Sequence, residues 1–126
     1  MMEFILTESE FNEDNTAWNG NRFLMGNGYF GIRGTLEEYT KKQMCAVNMA
    51  GIYDKMGNSW RESVNAPNPL YTYIKVNGKI YALPDEKPKF HQQELDFRYG
   101  IHSRVTHWQT EHGNITVVCE RFASIA

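Results

Sequence analysis

The run Met25-Gly26-Asn27-Gly28-Tyr29-Phe30-Gly31-Ile32-Arg33-Gly34 places four glycines within nine residues and limits what the chain can build around it. The spacing of Gly26, Gly28 and Gly31 satisfies that of a dinucleotide-binding loop, in which a strand turns into a helix whose N-terminus meets a pyrophosphate. The residues that follow speak against the helix. Tyr29, Phe30 and Ile32 with further glycines make a poor first helical turn, and no strand-helix-strand unit surrounds the run. A glycine-dense, aromatic-flanked turn between strands fits better. In it, Gly26, Gly28, Gly31 and Gly34 would allow sharp turns and close backbone approach.

The rest of the chain agrees with strands. Aromatics make up 13% of it, and no window repeats apolar residues three and four apart over three turns. The fold reads as all-β, with antiparallel strands and long loops. Asn77-Gly78 sits between two alternating runs in Leu70–Leu83 and supplies the positive φ angles of a tight hairpin. Val76 would face Lys79, Ile74 would face Tyr81 and Thr72 would face Leu83. That puts Thr72, Ile74, Val76, Tyr81 and Leu83 on the buried side, with Tyr71, Tyr73 and Lys75 opposite. A meander should run from Gln92 to Phe122, broken near Tyr99-Gly100 and at Glu111-His112-Gly113-Asn114. With four residues in that second loop, Trp108 would pair with Val117. Gly51–Pro69 reads as a long loop carrying Asp54-Lys55-Met56-Gly57-Asn58, and Asp85–Lys89 as a solvated connector.

At 126 residues and 41% apolar content the chain has the size of one domain. It stops just past the strand expected over Ile115–Ile125, so we expect a portion of a larger β-domain. Thirteen basic and 15 acidic residues are mixed along it, for a net charge of −2, which leaves no footprint for nucleic acid or an anionic membrane. No apolar stretch nears the roughly 20 residues of a membrane span. Cys45 and Cys119 are too few for a disulfide scaffold, and the start Met-Met-Glu-Phe-Ile-Leu lacks the basic and apolar regions of a signal peptide. A cytoplasmic protein with reduced thiols is expected.

Few residues invite a chemical role. His91, His102, His107 and His112 are spaced five or more apart in strand context, so they should scatter over opposite faces as surface or edge residues, and no metal site is expected. Adjacent Glu37 and Glu38 would point apart in a strand and cannot oppose each other as glycoside hydrolysis needs; a solvated turn is expected. No serine stands in a nucleophile elbow, and neither cysteine has an activating base nearby in sequence. Trp60 with Arg61 and Glu62 is the one group marked for ligand or interface contact, the alternative being that Trp60 pins its loop to the domain. Trp18 and Trp108 look like core residues.

Phe23-Leu24-Met25-Gly26-Asn27-Gly28-Tyr29-Phe30-Gly31-Ile32-Arg33-Gly34-Thr35-Leu36-Glu37-Glu38 resembles the opening signature of the N-terminal domain of glycoside hydrolase family 65, the maltose, trehalose and kojibiose phosphorylase family. Gly51-Ile52-Tyr53-Asp54, Glu62-Ser63-Val64-Asn65-Ala66-Pro67-Asn68, Leu95-Asp96-Phe97-Arg98-Tyr99-Gly100-Ile101 and Glu120-Arg121-Phe122-Ala123-Ser124 are similar to later landmarks, in the same order. The resemblance implies that residues 1–126 are the N-terminal portion of a galactose-mutarotase-like β-supersandwich, followed in the family by a helical linker and a catalytic (α/α)6 barrel that this chain does not contain. It carries over no catalytic residue and no cofactor, only inorganic phosphate as co-substrate of the parent enzyme.

On this resemblance the loop Tyr53–Pro69 leans over the active-site mouth, with Tyr53, Asp54, Trp60, Arg61, Glu62 and Asn65 as substrate-mouth candidates. Arg33 and Arg121 are either partners of internal acidic groups or contacts to the barrel. The expected partners are the rest of the parent polypeptide, a small sugar and a second copy in a homo-oligomer, with neither nucleic acid nor membrane. Two further readings stay open: a stand-alone carbohydrate-binding module using Trp60, Tyr71 and Tyr73, and a dimerisation module joined through open strand edges.

Overall fold

A computed structural model of the chain describes residues 4–55 and 57–125. The N-terminal start weighed above as a signal peptide begins outside the described residues, as does Met56 in the loop after Asp54. The strands are β1 (Ile5–Glu8), β2 (Met25–Gly26), β3 (Phe30–Ile32), β4 (Val47–Met49), β5 (Tyr53–Lys55), β6 (Arg61–Ser63), β7 (Ile74–Val76), β8 (Lys79–Tyr81), β9 (Phe90–Asp96), β10 (Ile101–Thr110) and β11 (Gly113–Phe122). Among the described residues one α-helix, α1 (Thr16–Arg22), lies between β1 and β2. The main sheet has the order β1-β9-β10-β11 with every pairing antiparallel, and a second sheet has the order β2-β3-β4. β5-β6 and β7-β8 are separate hairpins.

The fold is mostly β, as the composition implies, and α1 is the departure. Its sequence Thr-Ala-Trp-Asn-Gly-Asn-Arg has poor helix formers and no apolar stripe, so periodicity gives no sign of it. A turn at Glu13–Asn15, capped where Asn12 Oδ1 accepts from the Asp14 N–H at 3.0 Å, leads the chain into it. A Cβ added at Gly20 would sit 2.6 Å from Arg33 Nε, so the Arg33 side chain would have to shift to admit one. Trp18, expected in the core, projects from α1 and is 63% exposed; the helix buries Asn19 and Gly20 instead.

The glycine run forms the β2-β3 turn. Asn27 Oδ1 accepts from the Tyr29 and Phe30 N–H groups at 2.9 Å, and Gly28 supplies φ +85°. Gly26 and Gly31 face each other across the pair. Gly34 lies against Phe23, where an added Cβ would come within 2.4 Å of its carbonyl carbon.

The hairpin at Asn77-Gly78 has the expected register, Val76 opposite Lys79 and Ile74 opposite Tyr81. Its ladder stops there, so Thr72 does not pair with Leu83; Thr72 is exposed and Leu83 is buried. In the meander, Thr110 pairs with Gly113, a two-residue turn in place of the four-residue loop. Trp108 therefore faces Ile115, not Val117. Gly51–Pro69 is not one loop, since β5 and β6 form a hairpin within it.

Two apolar clusters make the core. Phe23, Met25, Ile32, Val47 and Leu95 form one, and Leu36, Tyr39, Tyr81, Leu83 and Trp108 the other. Burying each such side chain contributes roughly 1.5–3 kcal/mol. Asp85–Lys89 is only partly a solvated connector, because the Glu86 carbonyl accepts the Trp108 indole N–H at 2.9 Å.

Candidate functional site

The inward face of β10 carries His102, Arg104, Thr106 and Trp108, all buried. Three of these four are polar, and a buried charge persists only when paired. The pairing comes from the segment after the glycine run. Arg104 donates through Nη1 to Glu37 Oε2 at 2.9 Å and through Nη2 to Glu38 Oε1 at 2.6 Å, and Glu38 Oε2 closes a fork with Nη1. Glu38 Oε1 also accepts from the Leu83 N–H at 3.1 Å. Arg121 Nη1 donates to the Thr35 carbonyl at 2.6 Å and lies 3.4 Å from Glu37 Oε1. Glu37 and Glu38 thus converge on one arginine and are not a solvated turn. The 35–38 segment is irregular, so strand alternation does not separate them.

Charge compensation governs this cluster. Burial pushes the Glu37 carboxyl up, but the charges of Arg121 and Arg104 outweigh it and hold the group below the usual carboxylate range. Burial disfavours the Arg104 cation, yet hydrogen bonds and charge from Glu38 and Glu37 hold its pKa above the usual value. Arg121, with Thr35 O and a shared Glu37 as partners, is shifted down by burial.

His91 and His102 are buried on the same inner face, not scattered at surfaces and edges. Arg104 Nε donates to Thr106 Oγ at 2.9 Å, and the same hydroxyl lies in hydrogen-bond contact with His91 Nδ1 at 3.0 Å. His102 Nε2 meets Gln93 Oε1 at 3.1 Å, so that nitrogen carries the hydrogen. Gln93 Nε2 and Asn19 Nδ2 both donate to the Glu8 carboxylate at 2.5 Å. Burial first, then Arg104, brings His91 to about 4; burial, then Arg121, brings His102 to about 3. With Glu37 and Glu38 engaged by guanidinium and both imidazoles buried, the cluster ties the 35–38 segment to the main sheet, and Glu37, Glu38 and Arg104 also line a recess of about 130 Å³ with Tyr73, Tyr81 and Trp108.

The substrate-mouth candidates lie elsewhere. β5 and β6 pair Tyr53 with Ser63, Asp54 with Glu62 and Lys55 with Arg61, and all six are exposed. Asp54 and Glu62 set two carboxylates side by side on one face, a mildly unfavourable cross-strand pair. Trp60 does not pin the loop: it is 77% exposed, its indole Nε1 donating to Glu62 Oε1 at 2.8 Å. Asp54, Ser59, Trp60 and Glu62 line a recess of about 190 Å³. Such a recess offers an aromatic face for sugar C–H groups and carboxylates for hydroxyls.

Asn65 stands apart from that recess. Its Oδ1 accepts from the Val47 N–H at 2.8 Å and its Nδ2 donates to the Cys45 carbonyl at 3.2 Å, so it clamps the edge of β4. Arg33 turns to backbone, donating to the carbonyls of Ala17 at 2.6 Å and Met44 at 3.3 Å. Tyr71 and Tyr73 lean on each other with centroids 6.0 Å apart. Cys45 and Cys119 are free, and burial pushes the Cys119 thiol up to about 11. Among the described residues no three His, Cys, Asp or Glu gather as metal ligands, and no helix is long and apolar enough to cross a membrane.

Sequence reasoning missed the Arg104 cluster. On a strand the row His102, Arg104 and Thr106 reads as solvent-facing, and nothing local marks it as buried against Glu37 and Glu38.

Comparison with known proteins bears on what surrounds this scaffold. Residues 6–126 match the family model for the glycosyl hydrolase family 65 N-terminal domain. A nigerose phosphorylase of Lachnoclostridium phytofermentans is 52% identical over 98% of this chain and 16% of its own length. A kojibiose phosphorylase of Halothermothrix orenii is 33% identical over the same shares. A solved structure provisionally assigned as a kojibiose phosphorylase, from the human microbiome, superposes with a TM-score of 0.83 at 22% identity, covering 93% of this chain and 17% of that one. The chain therefore spans about one sixth of the length of these relatives.

Proposed function

Since this chain belongs to glycosyl hydrolase family 65, as its N-terminal domain, we propose that it is the non-catalytic β-domain of a phosphorylase acting on an α-glucosyl disaccharide of the maltose, trehalose, kojibiose or nigerose type. The observation that carries this reading is the 52% identity, over nearly the whole chain, to a nigerose phosphorylase. The remainder of the parent polypeptide supplies the catalytic barrel, where inorganic phosphate attacks the anomeric carbon as the glycosidic oxygen is protonated. The domain supports that barrel, and the β5-β6 hairpin shapes the active-site mouth. Its own buried carboxylates are committed to Arg104 and Arg121, which fits a supporting role.

The test is sugar release by the natural polypeptide that contains this chain, with and without phosphate, on nigerose, kojibiose, trehalose and maltose. Glucose 1-phosphate formed only when phosphate is present, and no turnover by residues 1–126 alone, is the expected result. Release that ignores phosphate replaces the phosphorylase with a hydrolase.

A second reading is favoured by the exposed Trp60 beside Asp54 and Glu62: the hairpin binds sugar by itself. Titrating the chain with the same four disaccharides separates the two, because only this reading expects a saturable change in tryptophan fluorescence.

A further inference from the structure

The first core cluster opens to the surface at one end of the main sheet. Leu95 and Met25, which are 3% and 7% exposed, form the floor of a groove of about 450 Å³. Its walls are Leu24, Phe97, Tyr99, Ile101 and Phe122, with exposures of 59%, 60%, 70%, 39% and 69%. These residues come from three separate stretches: the entry to β2, the β9-β10 turn with the start of β10, and the end of β11. The fold gathers them, and their neighbours hold the walls in place. Asp96 Oδ1 accepts from the Arg98 and Tyr99 N–H groups at 2.8 and 3.3 Å and fixes the turn. Asn27 Nδ2 donates to the Ser124 carbonyl at 2.7 Å and keeps the stretch after β11 against β2.

Three aromatics and two aliphatics, all substantially exposed, stand around this groove. No charged or amide side chain lines the groove; Tyr99 brings the one side-chain hydroxyl. A sugar finds no carboxylate, side-chain amide or cation here, whereas an apolar protein segment needs none. We propose that the Leu24-Phe97-Tyr99-Phe122 groove is the docking face for an apolar segment of the same parent polypeptide, lying outside residues 1–126. The occupant is placed in the same polypeptide because the relatives continue for about five times the length of this chain beyond what it matches. This rests on the reading of the chain as one domain of a longer enzyme, and it adds which face the remainder covers.

The experiment places p-benzoylphenylalanine at position 99 of the natural polypeptide, mixes isotopically light and heavy copies in equal amounts, irradiates, digests and sequences the cross-linked peptides. The expected product joins residue 99 to a segment outside 1–126, with both peptides carrying the same label. Mixed-label products would identify a second copy as the occupant and overturn the proposal, as would cross-links confined to residues 1–126 or none at all. A polypeptide that ends at Ala126 overturns it too. Cross-linking is read without turnover, so activity without the expected product removes this inference alone. The expected product without phosphate-dependent turnover leaves the docking face standing and removes the phosphorylase reading.

Discussion

Arg104 holds Glu38 in a two-nitrogen fork in which both partners are almost wholly out of water, with side-chain exposures of 1% and 6%. The same Nη1 reaches Glu37, which in turn reaches Arg121. Two cations and two anions are therefore held in one buried cluster that ties the 35–38 segment to β10 and β11.

Removing Arg104 leaves Glu38 buried without its cation and Glu37 with Arg121 alone. Arg104→Met is expected to cost about 3–5 kcal/mol, the range for breaking a buried pair from one side. Arg104→Lys should cost less but remain clearly destabilised, because an ammonium cannot fork onto Glu38 and reach Thr106 together. Urea unfolding midpoints of the three proteins check this; a loss below about 1 kcal/mol for the methionine variant contradicts it.

Acid should weaken the fold in two stages. In the unfolded chain His91 and His102 titrate near 6.5, and in the native fold near 4 and 3. Between these values the unfolded state binds protons that the native state does not, so stability is full above pH 6.5 and falls as the pH drops toward 4, with a limiting slope of about 2.7 kcal/mol per pH unit for two sites. Glu37, held below its ordinary 4.5, adds a further loss only below that pH. Denaturation curves at stepped pH read both stages. A stability unchanged between pH 7 and pH 5 would show that the imidazoles are not buried neutral.

Gly34→Ala should be among the costliest small substitutions in the chain. The new methyl would meet Phe23 backbone and Cβ at 2.4 Å, and Phe23 is fully buried with no room to retreat. A loss of at least about 1–3 kcal/mol is expected. Gly31→Ala, whose nearest obstacle is 3.8 Å away, serves as the comparison and should differ little from the natural protein in thermal midpoint.

Deleting Asn58–Glu62 from the parent enzyme is expected to raise KM for the disaccharide while leaving the folding of the β-domain intact. Trp60→Ala within the chain should change stability by no more than about 0.5 kcal/mol, since the indole is exposed and its one partner, Glu62, is exposed as well. An unaltered KM would remove the hairpin from the mouth of the active site.

Local chemistry was legible in the sequence wherever it decided the outcome. Asn77-Gly78 set the β7-β8 register, and the turn residues at Tyr99-Gly100 separated β9 from β10. The β10-β11 connection was misjudged because Glu111-His112-Gly113-Asn114 offers several turn lengths, and Gly113 at φ +127° joins the strand instead of the loop.

Side-chain burial was harder to read, for the reason visible in β10. Its outward row begins Ile101-Ser103-Val105 and its inward row His102-Arg104-Thr106, so hydrophobicity along the strand points to the wrong face. What reverses it is Glu37 and Glu38, 66 and more residues earlier in the chain, and no local pattern reports a partner at that distance. The same holds for Trp18: a tryptophan suggests a core position until the helix carrying it turns Asn19 inward toward Glu8. Among the mouth candidates, Asp54, Trp60 and Glu62 share the hairpin recess, while Asn65 proves to be a backbone clamp that only the β4 edge explains.

The pairing of β1 with β9 bears on how the chain is made. Ile5 lies opposite Asp96, so among the described residues β1 has no sheet partner until roughly 90 further residues have been added. At 5–20 residues per second that is a wait of roughly 5 to 20 s, far longer than hairpin formation takes. β9, β10 and β11 can meanwhile zip together as they emerge, since each follows its partner directly. The sheet is thus expected to assemble from its C-terminal side and to accept Ile5–Glu8 last. A nascent chain halted before Phe90 would expose that strand to holding chaperones and to proteases, and one released after Phe122 would not.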